Sequence, residues 1–183
     1  FLNSFMLFEK GKDSERFSQK TIDSIVNACY EMSNVKTGAL IVVEQEIVLS
    51  EYQNTGINLD CIVSEQMLMN IFEHNTPLHD GAVIIRGDRI VSATCYLPLS
   101  ENTSLSKQLG TRHRAGIGMS ELRDALVIIV SEETGKVSYA MGGRLVRGVQ
   151  EDELRAKLLQ LQSKPEEKIK RFVLKKGRRD DEG

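Results

Sequence analysis

AVIIRGDRIVSATCYL, residues 82–97, holds two strand-length runs, Ala82–Arg86 and Arg89–Leu97, around the tight-turn pair Gly87-Asp88. Apolar and β-branched residues flanking a two-residue Gly-Asp turn spell a β-hairpin, which requires an antiparallel pair in the sheet. On either side of it, Thr37–Val43 and Ala125–Val130 are apolar runs of strand length with no polar alternation, as strands buried on both faces require. Ile47–Leu49 reads as a further short strand. Lys136–Met141 and Arg144–Val146 read as two more, set off by Thr134-Gly135 and Gly142-Gly143. Helical spacing fills the intervals. Ser14 is read as the cap of a helix running to about Ser33, with Ile22, Ile25, Val26, Cys29 and Met32 as one buried stripe. Ser64 opens a second, with Val63, Met67, Leu68, Ile71 and Phe72 inward, and Thr111–Ser120 and Gln150–Gln162 complete the set. The expected fold is an α/β domain with a mixed, twisted central sheet flanked by helices.

With 183 residues, 40% hydrophobic and 27% charged, the chain has the length and composition of one globular domain. Its formal charge of −2 gives no bulk attraction for nucleic acid, and no nucleic-acid partner is expected. The charge is uneven, because Lys164–Gly183 carries eight basic and five acidic residues. The expected organisation is a linker over 1–13, a domain over 14–162 and a charged flexible tail over 163–183, most simply a solvated one. Cys29, Cys61 and Cys95 are too far apart for a metal-binding pair and odd in number, so they read as core thiols in a reducing compartment. No apolar run is long enough to span a bilayer. The first residues, FLNSFMLF, suggest a piece cut from a longer protein.

Walker-type loops, HExxH and GxSxG are all missing, and Gly116-Ile117-Gly118 lacks the third glycine and the preceding strand of a dinucleotide fingerprint. Two segments concentrate chemistry. Pro77-Leu78-His79-Asp80-Gly81-Ala82 runs straight into a buried strand, setting a carboxylate and an imidazole at its entrance. Such a pair can hold a divalent cation or orient a hydroxyl, although an ordinary Asp-Gly turn has the same spelling. Thr111-Arg112-His113-Arg114 sets two guanidinium groups at a helix start, where the macrodipole favours anions and cations are out of place. Guanidinium forks and free helix N–H groups suit phosphate oxygens, the plain alternative being a solvated basic face. Ser131-Glu132-Glu133 ends an apolar strand, where open sheets place ligands, and Tyr96 offers a face for a base to stack on. Cations for phosphate, an acid and an aromatic platform together suggest nucleotide polyphosphate chemistry.

LHDGA, then CYLPLS, TRHRAGIGMSE and IIVSEETG, in that order between residues 18 and 147, resemble the diadenylate cyclase family. The likeness is greatest to its bacterial membrane-associated type, and both signatures are complete as Asp80-Gly81-Ala82 and Arg112-His113-Arg114. The resemblance implies condensation of two ATP into cyclic di-AMP and two pyrophosphates with Mg²⁺ or Mn²⁺, at a site made by two face-to-face protomers of a homodimer. It implies that Asp80, with Gly81 and Ala82, forms the catalytic motif, and that His79 joins Asp80 at the metal. Thr111, Arg112, His113, Arg114, Ser131 and Glu133 would bind the phosphates, and Tyr96 and Leu97 the adenine. It further implies a cytoplasmic catalytic domain whose parent is anchored in the bacterial membrane through a region not present here. The competing reading is a module that senses a nucleotide without turnover, for which Asp80 would be superfluous.

Overall fold

The computed structural model describes residues 15–106 and 109–163, which form a seven-stranded sheet in the order β2-β4-β3-β1-β5-β6-β7. The strands are β1 (Ala39–Val43), β2 (Ile57–Ile62), β3 (Ala82–Arg86), β4 (Arg89–Cys95), β5 (Leu126–Val130), β6 (Val137–Met141) and β7 (Arg144–Arg147). The helices are α1 (Gln19–Asn34), the short α2 (Ser50–Gln53), α3 (Glu65–Phe72), α4 (Thr111–Leu122) and α5 (Glu151–Gln162). Only β1 and β3 pair in parallel; every other neighbouring pair is antiparallel. The α/β architecture with a mixed sheet is as expected.

The apolar runs explain the layering. Successive side chains of a strand point to opposite faces, so a strand apolar throughout must be covered twice. Ala39, Ile41 and Val43 join one core with α1, α3 and α5, where Ile22, Ile25, Leu68, Phe72, Leu154 and Leu158 are shut off from solvent. Leu40 and Val42 join a second core under α4, with Ala115, Ile117 and Met119. The predicted α1 stripe is buried throughout, and burial pushes the Cys29 thiol up to about 12, which makes it inert.

Several expectations need correction. Ile47–Leu49 is not a strand: the Asp124 carboxylate accepts from the Glu46 and Ile47 N–H groups, and buried Glu44 accepts from Leu49 N at 2.9 Å. Side chains satisfy that backbone, so no ladder forms, and Ile47 and Val48 stay exposed. The strand on that flank is β2, whose half-polar sequence INLDCI reflects an edge position with a bulge at Asp60. The α1 cap is Ser18, whose Oγ accepts from Thr21 N at 3.3 Å; Ser14 lies outside the described residues. Met67 is exposed, because α3 turns only Leu68, Ile71 and Phe72 fully inward. Cys61, on the edge strand, is only half-buried. The 1–13 and 164–183 segments lie outside the described residues.

Candidate active site

One end of the sheet gathers the sequence candidates. Parallel pairing brings the starts of β1 and β3 together, and antiparallel pairing adds the ends of β4 and β5 through the registers Ala82↔Cys95 and Ala39↔Val130. The N-terminus of α4 overhangs the same end, so residues as far apart in sequence as Gly38 and Glu132 become neighbours.

Asp80 reaches this end through a constrained backbone. Gly81 has φ +94°, and a Cβ there would come within 2.8 Å of the Thr94 carbonyl carbon. Only glycine fits both the conformation and the contact. Thr94 is itself left-handed, at φ 56°, where the β3–β4 register shifts. The bulge ends regular pairing beside Asp80 and leaves the Asp80 carboxylate in solvent, without a hydrogen bond from the described residues. His79 is better anchored. Its Nδ1 lies 2.6 Å from the Thr76 carbonyl oxygen, which can only accept, so Nδ1 donates and, in the neutral ring, Nε2 carries the lone pair.

The arginine motif opens α4. Gly110 caps the helix without a side-chain bond and no acidic residue stands in the first turn, so among the described residues no side-chain cap or first-turn carboxylate competes with an anion for the N–H groups there. Arg112 pairs ionically with Glu132, Nη1 lying 2.8 Å from Oε2. Burial lowers the His113 pKa from its ordinary 6.5, the charge of Arg147 lowers it further, and Glu133 opposes both. The segment after β4 is fastened to this helix. Ser100 N donates to the Arg114 carbonyl at 3.0 Å, Ser100 Oγ to Glu121 at 2.7 Å, and Gly118 lies so close to Pro98 that a Cβ would stand 2.3 Å from its carbonyl oxygen. Gly116 and Gly118 are thus packing residues, which accounts for the incomplete fingerprint.

Two adjoining clefts result. One, of about 580 Å³, is lined by His79, Asp80, Gly81, Tyr96 and Leu97. The other, of about 510 Å³, is lined by His113, Ser131, Glu133, Lys136 and Arg147. Thr111, Arg112 and Glu132 line both, so the two form one trough. Tyr96 stands 75% exposed at its rim, while Leu97 is buried beneath. Two sequence candidates lie apart from the trough. Ala82 points into the core, and the half-buried Arg114 extends toward the Ser106 carbonyl at 3.5 Å. Sequence reasoning missed Lys136 and Arg147 as lining residues and Gly38 beneath Arg112. Glu132 belongs to the strand-end candidate Ser131-Glu132-Glu133, but nothing in the sequence marks its pairing with Arg112, which joins the two halves.

The sequence profile of the DAC family, described as DisA bacterial checkpoint controller nucleotide-binding, matches residues 26–145. The chain belongs to this family. It is 50% identical over 148 residues to the cyclic di-AMP synthase CdaA of Bacillus subtilis, covering 81% of this chain and 54% of that protein. It is likewise 50% identical over 149 residues to a diadenylate cyclase of Listeria monocytogenes, covering 81% and 55%. The chain therefore spans about half the length of these relatives. Among solved structures, a double-cysteine mutant of DacA from Staphylococcus aureus superimposes with a TM-score of 0.77 at 45% identity, over 78% of this chain and 95% of that one. A protein from Bacillus cereus described as a hypothetical membrane spanning protein gives 0.68 at 44%, over 70% and 63%. No described helix is long and apolar enough to cross a membrane. The DAC-family match covers both clefts, apart from Arg147 at the very edge.

Proposed function

We propose that this chain is the catalytic part of a diadenylate cyclase, condensing two ATP into cyclic di-AMP with release of two pyrophosphates. The observation that carries the proposal is the single trough in which Asp80 and His79 share walls with Thr111 and Arg112. The base would stack by Tyr96 over Leu97, and the triphosphate would run past Thr111 and Arg112 toward His113, Ser131 and Glu133. In each half-reaction the ribose 3′-oxygen of one ATP bonds to the α-phosphorus of the other. The α–β bridging P–O bond breaks, pyrophosphate leaves, and the hydroxyl proton passes to the Asp80 carboxylate. A second such step closes the ring.

Phosphoryl transfer asks for alignment and charge neutralisation more than for covalent protein chemistry. Arg112 and the N–H groups at the start of α4 meet the charge that develops on the phosphates. The donor set fits Mg²⁺ or Mn²⁺, since Asp80 offers a carboxylate and neutral His79 a lone pair at Nε2. No group of three or more ligating residues exists among the described residues, so phosphate and water oxygens would complete the shell. When bound, the ion would polarise the attacking hydroxyl and shield the phosphates.

Asp80 and Tyr96 lie exposed at the trough rim, which suits two protomers facing each other, each bringing one ATP. Membrane attachment would belong to parts of the parent beyond this chain. Incubation with ATP and each metal in turn, followed by chromatography, tests the reading. Cyclic di-AMP is expected; ATP binding with no product would favour the sensing module instead.

A further inference from the structure

The half of the trough farthest from Asp80 carries more positive charge than the sequence motifs account for. Lys136 and Arg147 line it beside His113, and neither forms an ion pair with a described residue. The carboxylates present are Glu132, occupied by Arg112, and Glu133. Cations gathered in one cleft repel, and the arrangement is relieved by a polyanion.

Both cations stand on fixed backbone. Lys136 follows a turn in which Ser131 N donates to its carbonyl at 3.1 Å and its own N–H donates to Thr134 Oγ1 at 3.2 Å. Ser33 Oγ donates to the Gly135 carbonyl at 2.5 Å, tying that turn to the end of α1. Arg147 ends β7 opposite Ser138, whose buried Oγ accepts from Gly148 N at 3.4 Å. Arg147 lines the same cleft as His113 in the first turn of α4, and its charge acts on that imidazole. Three separate elements thus aim basic or polar groups into about 510 Å³, a volume suited to a small ligand.

We propose that Lys136 and Arg147, with His113, form a seat for the end of a polyphosphate: the terminal phosphates of the nucleotide before reaction and free pyrophosphate after it. The substrate named here rests on the cyclase reading, whereas the anion chemistry rests on the cleft alone. A nucleotide with its base by Tyr96 and its phosphates beside Arg112 reaches this cleft through the lining that the two share at Thr111, Arg112 and Glu132. The seat then selects triphosphates over monophosphates, and it delays release of pyrophosphate.

Calorimetry with inorganic pyrophosphate and Mg²⁺, using AMP as the control ligand, tests this on the whole chain. The proteins are wild type, Lys136→Ala, Arg147→Ala and the double variant, each checked by thermal unfolding, with Lys136→Arg as a charge-conserving partner. Each single alanine variant is expected to weaken pyrophosphate binding about tenfold, the value of one lost charge-assisted contact, with AMP affinity within about twofold. Lys136→Arg should keep most of the affinity. The proposal is overturned if the double variant binds pyrophosphate as wild type does, if AMP binding falls in parallel, or if wild type binds no pyrophosphate. Product analysis of wild type with ATP reads the cyclase proposal separately. Pyrophosphate binding that depends on Lys136 and Arg147 without cyclic di-AMP formation would keep the seat and reject the cyclase. Cyclic di-AMP formation with an unaffected double variant would do the reverse.

Discussion

The Arg112 guanidinium lies directly against Gly38, at the entrance to β1: a Cβ on Gly38 would stand 2.9 Å from both Cζ and Nη1 of that arginine. The floor under the proposed phosphate-binding arginine is therefore bare backbone. Glu132 completes the cradle as an ion-pair partner, its Oε2 2.8 Å from Nη1 and its own Cβ 3.1 Å from the same point over Gly38.

Gly38→Ala should accordingly be quiet in the fold and loud in binding. The methyl group meets the far end of a flexible side chain, so the structure yields by moving Arg112, and the cost in stability is expected to be under about 1 kcal/mol. The moved guanidinium loses its place over the trough. ATP affinity should fall about tenfold, as for loss of one charge-assisted contact. Calorimetry and thermal unfolding measure the two effects. A large fall in Tm with unchanged ATP affinity would show that Gly38 serves packing instead.

The sequence made the sheet legible where hydrophobicity is uniform. Leu126–Val130 could only be a strand covered on both faces, and it is buried throughout. Ile57–Ile62 escaped because an edge strand needs only half a hydrophobic face, and its bulge at Asp60 breaks the alternation. Ile47–Leu49 misled in the opposite direction: its apolar letters suggested pairing, while Asp124, far along the chain, supplies the acceptors. At the site, Arg112 stands out because a cation at a helix start conflicts with the macrodipole, and Asp80 because a carboxylate beside an imidazole runs straight into a buried strand. Lys136 and Arg147 gave no such signal. A lysine after a Thr-Gly turn and an arginine on an exposed strand are ordinary, and only the packing of β6 and β7 beside α4 brings them into the trough.

Arg147 has a second measurable effect. The His113 pKa is held below its ordinary 6.5 by burial first and by Arg147 second, with Glu133 acting the other way. Arg147→Gln removes one depressing charge, so the imidazole should titrate at higher pH, as followed by NMR. Pyrophosphate seated beside His113 should move it the same way, because an anion favours the charged ring. The linkage to stability follows. A histidine depressed in the fold lets the unfolded chain take up a proton first, so stability declines as pH falls from about 6.5 through the folded value. Arg147→Gln should lessen that decline. An unmoved His113 titration would mean that the two side chains do not sense each other.

Asp88 ties the far end of the sheet to α1. Its Oδ1 accepts from Ser18 N at 2.7 Å and from Thr21 Oγ1 at 2.6 Å, so the hairpin turn holds the capping residue and the first turn of the helix in place. Burial works to raise the Asp88 pKa, but the bonds from Thr21 and Ser18 prevail and hold it below its ordinary 3.8. The stability it contributes is fully present above about 3.8 and is lost as pH falls through the lower folded value. Asp88→Ala should cost about 1–2 kcal/mol, as loss of hydrogen bonds that hold a helix cap does, and flatten the acid limb of the stability curve. Urea unfolding at neutral and acidic pH measures both. Equal curves for the two proteins would sink the assignment.

The proposed face-to-face pairing makes the sharpest demand on the chemistry. Two bonds must form, each using one Asp80, so a dimer of one wild-type and one Asp80→Asn chain keeps a single competent half-site. The asparagine conserves shape but loses the charge that would receive the hydroxyl proton or hold a metal, and the fold should persist. Such a dimer should join two ATP once and stop, releasing one pyrophosphate and accumulating the linear triphosphorylated dinucleotide. The same geometry makes activity per chain fall on dilution, because a lone protomer has no opposing ATP to attack. Chromatography of products from differently tagged, co-purified mixed dimers reads the first effect, and activity against protein concentration beside sizing reads the second. Cyclic product alone from mixed dimers, or constant activity per chain where sizing finds monomers, would show that one protomer makes both bonds.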